Sequence, residues 1–221
     1  MNGFRVGLSL ARTRLTSWGS IGVLALGLLA TTLGSILFRA QPEGLELSLL
    51  GLAFGLVMPF GALALSRRAF ASASLLESVA EPARWGADRR STLTGLWLGL
   101  VLTLALWFGA LAAEAVVLSG GHFADTLRSA GVGVQAAAAY ASYLTLASSF
   151  GRHGHARVWF IGADWVLGAT TGALALPFPR AHVANLLGST PPASLPQLWS
   201  GLILACCCLL CLGLARARVP S

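Results

Sequence analysis

The sequence predicts an all-α, polytopic membrane protein with six transmembrane helices, and three observations support that class. Hydrophobic residues make up 56% of the 221 residues and charged residues only 10%, whereas soluble domains carry about 25% charged residues. The apolar residues are gathered in runs long enough to cross a bilayer. The arginines are concentrated in alternate connections between these runs. A chain with so few charges cannot cover a water-facing surface.

Each predicted span is an apolar run close to the ~20 residues that a membrane-crossing helix needs. The third span contains Glu114, near its outer end where water can reach it, and the fifth contains Asp164. Ionisable groups inside a span are costly and are candidate pathway residues, with Gln135 and Asn185 as weaker candidates. A packing contact is the other role open to Asp164. The predicted spans are residues 18–38, 47–65, 93–118, 128–149, 158–176 and 197–215.

The arginines predict the orientation of the spans. Twelve of the 15 arginines lie in the N-terminal segment, the second and fourth connections, and the C-terminal tail. Because basic residues stay on the cytoplasmic side, both termini and the segment 66–90 are expected to be cytoplasmic. The whole chain, 1–221, is predicted to be a single transmembrane domain.

The absence of lysine excludes some chemistry. All 15 basic residues are arginines, so the chain cannot hold a P-loop, whose lysine contacts the nucleotide phosphates. If ATP drives this protein, another chain binds it. The sequence has no GxSxG or HExxH motif, and we expect neither enzymatic activity nor a cofactor. The arginines lie between apolar runs and form no basic face, so no nucleic-acid partner is expected.

All four cysteines lie in the last apolar run, and Cys208 and Cys211 form a CxxC pattern. A redox or metal pair is one interpretation, and packing by small apolar side chains is the other. Without a second cysteine pair or a nearby histidine, packing is expected. His153 and His155 also lack a third ligand close by in sequence, so no metal site is predicted.

Two segments outside the spans have patterns of their own. Residues 3–17 place an apolar stripe between arginines, which predicts an amphipathic helix at the cytoplasmic interface or, alternatively, a frayed basic terminus. Residues 177–196 contain five prolines around the apolar piece 181–187, which predicts a re-entrant or surface helix or an ordinary outer loop. The apolar stripe of residues 3–17 consists of Phe4, Leu8, Ala11 and Leu15.

The segment 66–90 holds eight of the 23 charges of the chain. From Ala69 to Ala80 it consists of good helix formers with apolar side chains on one side, and Pro82 is expected to end the helix. We therefore predict a short amphipathic helix on the cytoplasmic surface of the membrane, followed by a basic elbow that leads into the third span.

This segment resembles the coupling helix of the permease subunits of type-2 ABC exporters, through "LLE" at 75–77 and "PAR" at 82–84. The proline-rich outer segment 177–196 before the last span resembles the same family. The resemblance implies a second permease subunit, identical or related, and a separate ATP-binding-cassette ATPase. It also implies location in the bacterial inner membrane, in contact with lipid. The residues expected to dock on the ATPase are Arg67, Arg68, Glu77, Glu81 and Arg84.

The predicted function is therefore the transmembrane subunit of an ATP-driven exporter. The alternative is a six-span solute-binding subunit of an energy-coupling-factor importer, or a small secondary carrier. A carrier would use buried ions near the middle of the membrane, for which this chain offers Asp164 and Glu114. The arginines of 66–90 have an alternative role too, in which they only anchor the topology and contact lipid headgroups.

Overall fold

The computed structural model describes residues 2–41 and 43–220, and this part of the chain consists of helices joined by turns, without a β-strand. The all-α prediction is confirmed. The helices are α1 (Gly3–Leu15), α2 (Trp18–Phe38), α3 (Gly44–Ala69), α4 (Leu75–Arg84), α5 (Arg89–Leu118), α6 (Phe123–Ala147), α7 (Ala156–Leu167), α8 (Pro179–Leu186) and α9 (Gln197–Ala217).

Four of these helices, α2, α3, α5 and α9, are long and apolar enough to cross a membrane. They coincide with four of the six predicted spans. Helices α2 and α9 lie at the edge of the bundle and leave most of their leucines exposed, as Leu37 and Leu209 show. Large apolar side chains on the outside of a helical bundle suit a lipid environment. The structure therefore supports a membrane protein with at least these four candidate spans.

The predicted span 128–149 overlaps most of α6 (Phe123–Ala147), which differs from the four apolar helices in composition. At 25 residues, α6 is about 38 Å long, but alanine, glycine and serine replace most large apolar residues. The helix packs mainly between α5 and α9, and most of its second half is buried. Small residues let neighbouring helix backbones approach closely. The modest hydropathy of α6 follows from this enclosed position.

The predicted span 158–176 is not one continuous helix in the structure. Helix α7 ends at Leu167, and turns with a short 3-10 segment, Ala173–Ala175, follow. Twelve helical residues extend only about 18 Å, against ~30 Å of hydrocarbon. The sequence "GATTG" at 168–172 explains the stop, because glycine and threonine are poor helix formers. The short helix predicted within residues 177–196 is present as α8, and the outer location of this segment stays a prediction.

Helix α1 packs closely on α5 through glycines. The α1–α5 contact is so tight that a Cβ on Gly7 would lie 2.0 Å from the carbonyl oxygen of Thr92, and one on Gly95 would lie 2.2 Å from that of Phe4. The predicted helix is therefore present, but its buried face is displaced from the predicted stripe. That face consists of Gly3, Gly7, Ala11 and Leu15.

Hydrogen bonds between distant segments define two ends of the bundle. At one end, Arg14 of α1 donates to the carbonyl of Ala69 at 2.9 Å, and Arg90 donates to that of Val219 in the tail at 3.2 Å. We call this the Arg-rich end. At the opposite end, Arg128 donates to the carbonyl of Leu186. The grouping matches the arginine count, and the cytoplasmic location of the Arg-rich end remains a prediction from that count.

Candidate functional site

Helix α4 at the Arg-rich end is built by a capping box. The Ser74 hydroxyl accepts from the backbone N–H of Glu77 at 3.3 Å, and the Glu77 carboxylate accepts from the backbone N–H of Ser74 at 2.7 Å. This reciprocal pair fixes the start of the helix. The helix ends at Arg84, and Gly86 then adopts a positive φ of 81°. Such a residue commonly follows a helix end.

These bounds correct the prediction of a helix from Ala69 to Ala80 that Pro82 ends. Helix α3 runs on through Ala69, and α4 begins only at Leu75. Pro82 lies inside α4. Its ring removes the one N–H that would bond to the carbonyl four residues earlier, and only Ala83 and Arg84 of the helix follow it.

The turn between α3 and α4 has a backbone conformation that its residues rarely adopt. Ala71 and Ser72 have φ values of 51° and 56°, in the left-handed region that is costly for residues with a side chain. Surrounding contacts hold the turn in place. The Ser78 hydroxyl donates to the carbonyl of Phe70 at 2.8 Å.

The buried side chain of Arg157 joins this turn to the next connection at the same end. Its guanidinium donates to the Ser148 hydroxyl and to the carbonyl of Ala73, and it lies 5.3 Å from the centroid of the Phe70 ring. The side chain is only 1% exposed. Charge-assisted hydrogen bonds of this kind are about twice as strong as neutral ones.

A second bond between the two connections comes from the backbone, where the N–H of Leu75 donates to the carbonyl of Ser148 at 2.9 Å. Helix α4 is therefore fastened to the α6–α7 connection at its first residue and at the turn before it. Arg157 is not among the predicted site residues. The local signal is an arginine in the first turn of the apolar helix α7, in "ARVWF", and this signal alone does not indicate burial.

The outward face of α4 carries both apolar and charged side chains. Leu76 is 44% exposed and Trp85 is 76% exposed, and the docking candidates Glu77, Glu81 and Arg84 of the same helix are exposed too. We call Leu76, Glu77, Glu81, Arg84 and Trp85 the α4 face. Tryptophan and arginine are enriched at protein contact surfaces.

The two remaining docking candidates lie just before the turn, in the last turn of α3. The guanidinium of Arg68 lies over Gly19 of α2, where a Cβ would come within 2.3 Å of it. Arg68 therefore also packs between helices, whereas Arg67 is simply exposed. The structure brings the five predicted docking residues to the same end of the bundle.

Hydrogen bonds from Ser74 hold the pKa of Glu77 below its usual value. The stabilisation that this carboxylate gives α4 should be complete above the ordinary glutamate pKa of about 4.3 and lost as the pH falls through the lowered folded-state pKa. We expect the difference in melting temperature between the wild type and Glu77→Gln to shrink between pH 5 and pH 3, because glutamine also caps at this position. Tryptophan emission during thermal unfolding measures it, and a pH-independent difference would contradict the assignment.

Asp164 is fully buried and makes structural contacts. Its carboxylate accepts from the Tyr140 hydroxyl at 2.6 Å and from the backbone N–H of Arg180 at 3.0 Å. It thereby joins α6, α7 and the first turn of α8. A buried carboxylate with two donors is well satisfied. The sequence leaves two roles open for Asp164, a pathway residue and a packing contact. These bonds favour the packing contact.

Glu114 of α5 contacts the neighbouring helix α2. Its Oε1 accepts from the Thr32 hydroxyl of α2, while its Oε2 is buried without a hydrogen-bond partner in the described part of the chain. The contact with Thr32 places Glu114 against α2. Access of water to this carboxyl stays a prediction.

Gln135 and Asn185 connect elements near the opposite end. Gln135 donates to the carbonyl of Gly201 at 2.8 Å, and Asn185 donates to the carbonyl of Leu195 and to the Ser200 hydroxyl at 2.9 and 2.8 Å. These bonds fasten α6 and α8 to the start of α9. Within the described residues, the four candidate pathway residues share no hydrogen-bond partner.

The cysteines pair differently from the CxxC pattern. The sulfurs of Cys207 and Cys211 are 3.8 Å apart, one helical turn along α9, and Cys208 contacts the Ser142 hydroxyl of α6 instead. All four cysteines are free thiols. Among residues 2–41 and 43–220, no group of three or more His, Cys, Asp or Glu side chains is placed to hold a metal ion.

Comparison with known proteins gives no relative: no family model, no curated protein and no solved structure matches this chain.

Proposed function

We propose that this chain is the transmembrane subunit of an ATP-driven exporter, with a separate ATP-binding-cassette ATPase docked on its α4 face. The observation that carries the proposal is the fastening of a short, exposed, mixed-charge helix at the Arg-rich end. The face presents exposed Glu77 and Glu81 beside Arg84, and carboxylates among the arginines favour a charged protein partner over anionic lipid headgroups. A second permease subunit completes the transporter.

The fastening of α4 suits it to transmit force. Arg14 holds the end of α3 and Arg157 holds the turn before α4, so α4 cannot move without its neighbours. Because α4 also connects α3 directly to α5, a push on its face would displace two long apolar helices together. Rigid-body movement of packed helices is a common means of switching a transporter between states.

The environment of Asp164 disfavours the ion-coupled carrier. A coupling residue must exchange its ion during each transport cycle, whereas both oxygens of Asp164 accept hydrogen bonds from the protein. Replacing these bonds in each cycle would disrupt the start of α8. The remaining acid in a span, Glu114, lies near the edge of the bundle against α2.

Reversing two charges on the α4 face tests the proposed docking. The double variant Glu81→Arg with Arg84→Glu leaves the capping box intact and inverts the charge pattern of the face. We expect the ATPase that co-purifies with the wild type from native membranes to bind at least about tenfold more weakly, as for a central interface residue. Its stimulated ATP hydrolysis should fall in parallel.

The matched control is Asp125→Arg with Arg39→Glu, two exposed residues at the opposite end, which should leave the complex unchanged. Unchanged binding and hydrolysis in the α4 double variant would mean that the charges of this face only anchor the topology. Loss of binding in both double variants would point to general damage to the protein instead of docking.

A further inference from the structure

Two cavities adjoin each other at the opposite end of the bundle. The first has a volume of about 360 Å³ and lies between the start of α3, the turn after α7, and α8. The second has a volume of about 370 Å³ and continues along α3 to Leu187 after α8. The first is within the ~300–1,000 Å³ typical of ligand sites. Both are lined by Glu43, Glu46, Leu50 and Ser189.

The first cavity presents charges of both signs. Glu43 and Glu46 line one side and Arg180 lines the other, with threonine and serine hydroxyls between them. The described residues provide no ion-pair partner for these three side chains. Unpaired charges that converge on one cavity suit a ligand that carries the opposite charges.

Arg180 is held in position for such a ligand. Its backbone N–H is bonded to the buried Asp164 carboxylate, one guanidinium nitrogen donates to the carbonyl of Trp165 at 2.8 Å, and the guanidinium lies 5.7 Å from the Trp165 ring. These contacts use only part of a group with five N–H donors. The others are available to an anion.

The walls next to these charges are apolar. Leu47, Leu50 and Phe54 line the first cavity from a stretch of α3, Leu47–Val57, that is a π-helix. Departures from α-helical hydrogen bonding often occur at functional sites. In the second cavity, Leu45, Leu49 and Leu187 dominate the lining.

We propose that these cavities bind a zwitterionic amphiphile, with its ammonium at Glu43 and Glu46, its anionic group at Arg180, and its apolar chain along the second cavity. A simple anion would be repelled by the two carboxylates, and a simple cation would be repelled by the Arg180 guanidinium. A polar compartment that continues into an apolar one matches a charged head joined to a hydrocarbon chain. This proposal rests on the proposed exporter function only where it treats the amphiphile as the transported substrate, since binding itself needs no ATPase.

Binding is tested on the purified full chain in detergent by native mass spectrometry, with lauroyl lysophosphatidylethanolamine as the probe. We expect saturable binding of one molecule per chain. Lauroyl lysophosphatidic acid, which lacks the ammonium, and glycerophosphoethanolamine, which lacks the chain, should each bind at least about tenfold more weakly, since each loses one group of contacts.

The variants Arg180→Gln and Glu43→Gln with Glu46→Gln should each weaken binding of the full probe by about tenfold or more. Arg180→Lys keeps the charge without the fork geometry. We expect this variant to bind the probe partially and to keep the wild-type melting temperature, which separates an effect on charge from an effect on folding. The controls Arg39→Gln and Asp125→Asn remove the same charges from the exposed surface and should bind as the wild type does.

Equal binding of the chainless zwitterion would overturn the amphiphile and identify a small soluble zwitterion as the ligand. Equal binding of lysophosphatidic acid, or unchanged binding in the carboxylate variant, would overturn the role of Glu43 and Glu46. Because no ATPase is present, either failure leaves the exporter proposal intact, and failure of ATPase docking leaves this site intact.

Discussion

Replacing Arg157 with alanine should release the start of α4 and lower the melting temperature of the protein. The variant removes a buried guanidinium that donates to Ser148 and to the carbonyl of Ala73. Hydrogen bonds to charged groups each stabilise by about 1.5–3 kcal/mol, so we expect a loss of about 3 kcal/mol. The unusual conformation of Ala71 and Ser72 then loses one of its supports. Hydrogen exchange of the α4 amides measures the release, and thermal unfolding measures the stability.

Two further variants make the Arg157 experiment specific. Arg157→Lys keeps the positive charge but cannot reach both acceptors with a planar fork, and it should fall between the wild type and alanine. Arg216→Ala removes an exposed arginine from the same end and should change neither quantity. Faster exchange throughout the bundle, and not chiefly at 75–84, would show that Arg157 supports the whole fold and does not hold α4 specifically.

Replacing Gly7 with alanine should displace α1 from α5. The new Cβ would lie 2.0 Å from the carbonyl oxygen of Thr92, and because this atom is backbone it cannot turn away. Alanine is the better helix former by about 1 kcal/mol, so intrinsic propensity predicts stabilisation, whereas the clash predicts a loss of about 1–3 kcal/mol. We expect the clash to dominate. Thermal unfolding and the rate of trypsin cleavage at Arg12 measure the displacement.

The matched control for Gly7→Ala is Gly22→Ala on the neighbouring helix α2. A Cβ at Gly22 meets no other atom within 4 Å, so this variant gains the helix propensity without the clash and should be at least as stable as the wild type. Gly95→Ala approaches the same contact from α5 and should reproduce the Gly7 result. If both contact variants melt at or above the wild-type temperature, α1 does not depend on this close approach.

The four apolar spans could be predicted from the sequence because hydropathy over ~20 residues is a local property. The end of α7 at Leu167 could not be predicted this way, since residues 168–176 are apolar enough to continue a span and only their helix propensity argues against it. The capping box at Ser74 and Glu77 was also readable, as serine followed three residues later by glutamate. The predicted bounds 69–80 are nevertheless wrong at both ends, because α3 continues through Ala69 and α4 continues past Pro82 to Arg84.

The candidate site shows the same division between local and distant information. The charges of the α4 face could be predicted because they lie together in the chain. Arg157 could not, because its acceptors lie 9 and 84 residues away, and only the packed bundle shows that an arginine is buried there. Glu43, Glu46 and Arg180 meet for a similar reason, since the turn after α7 brings distant segments to one cavity.

The shortness of α7 has a consequence for how the two ends of the molecule communicate. Arg157, in its first turn, is bonded to the turn before α4, and Asp164 and Trp165, in its last turn, hold Arg180 at the cavity. Arg157 and Asp164 are seven positions apart along the helix, a distance of about 10 Å. In the proposed exporter, α7 would move as one rigid helix. Nucleotide-driven movement at α4 would then reorient the cationic side of the cavity and weaken the binding of the ligand.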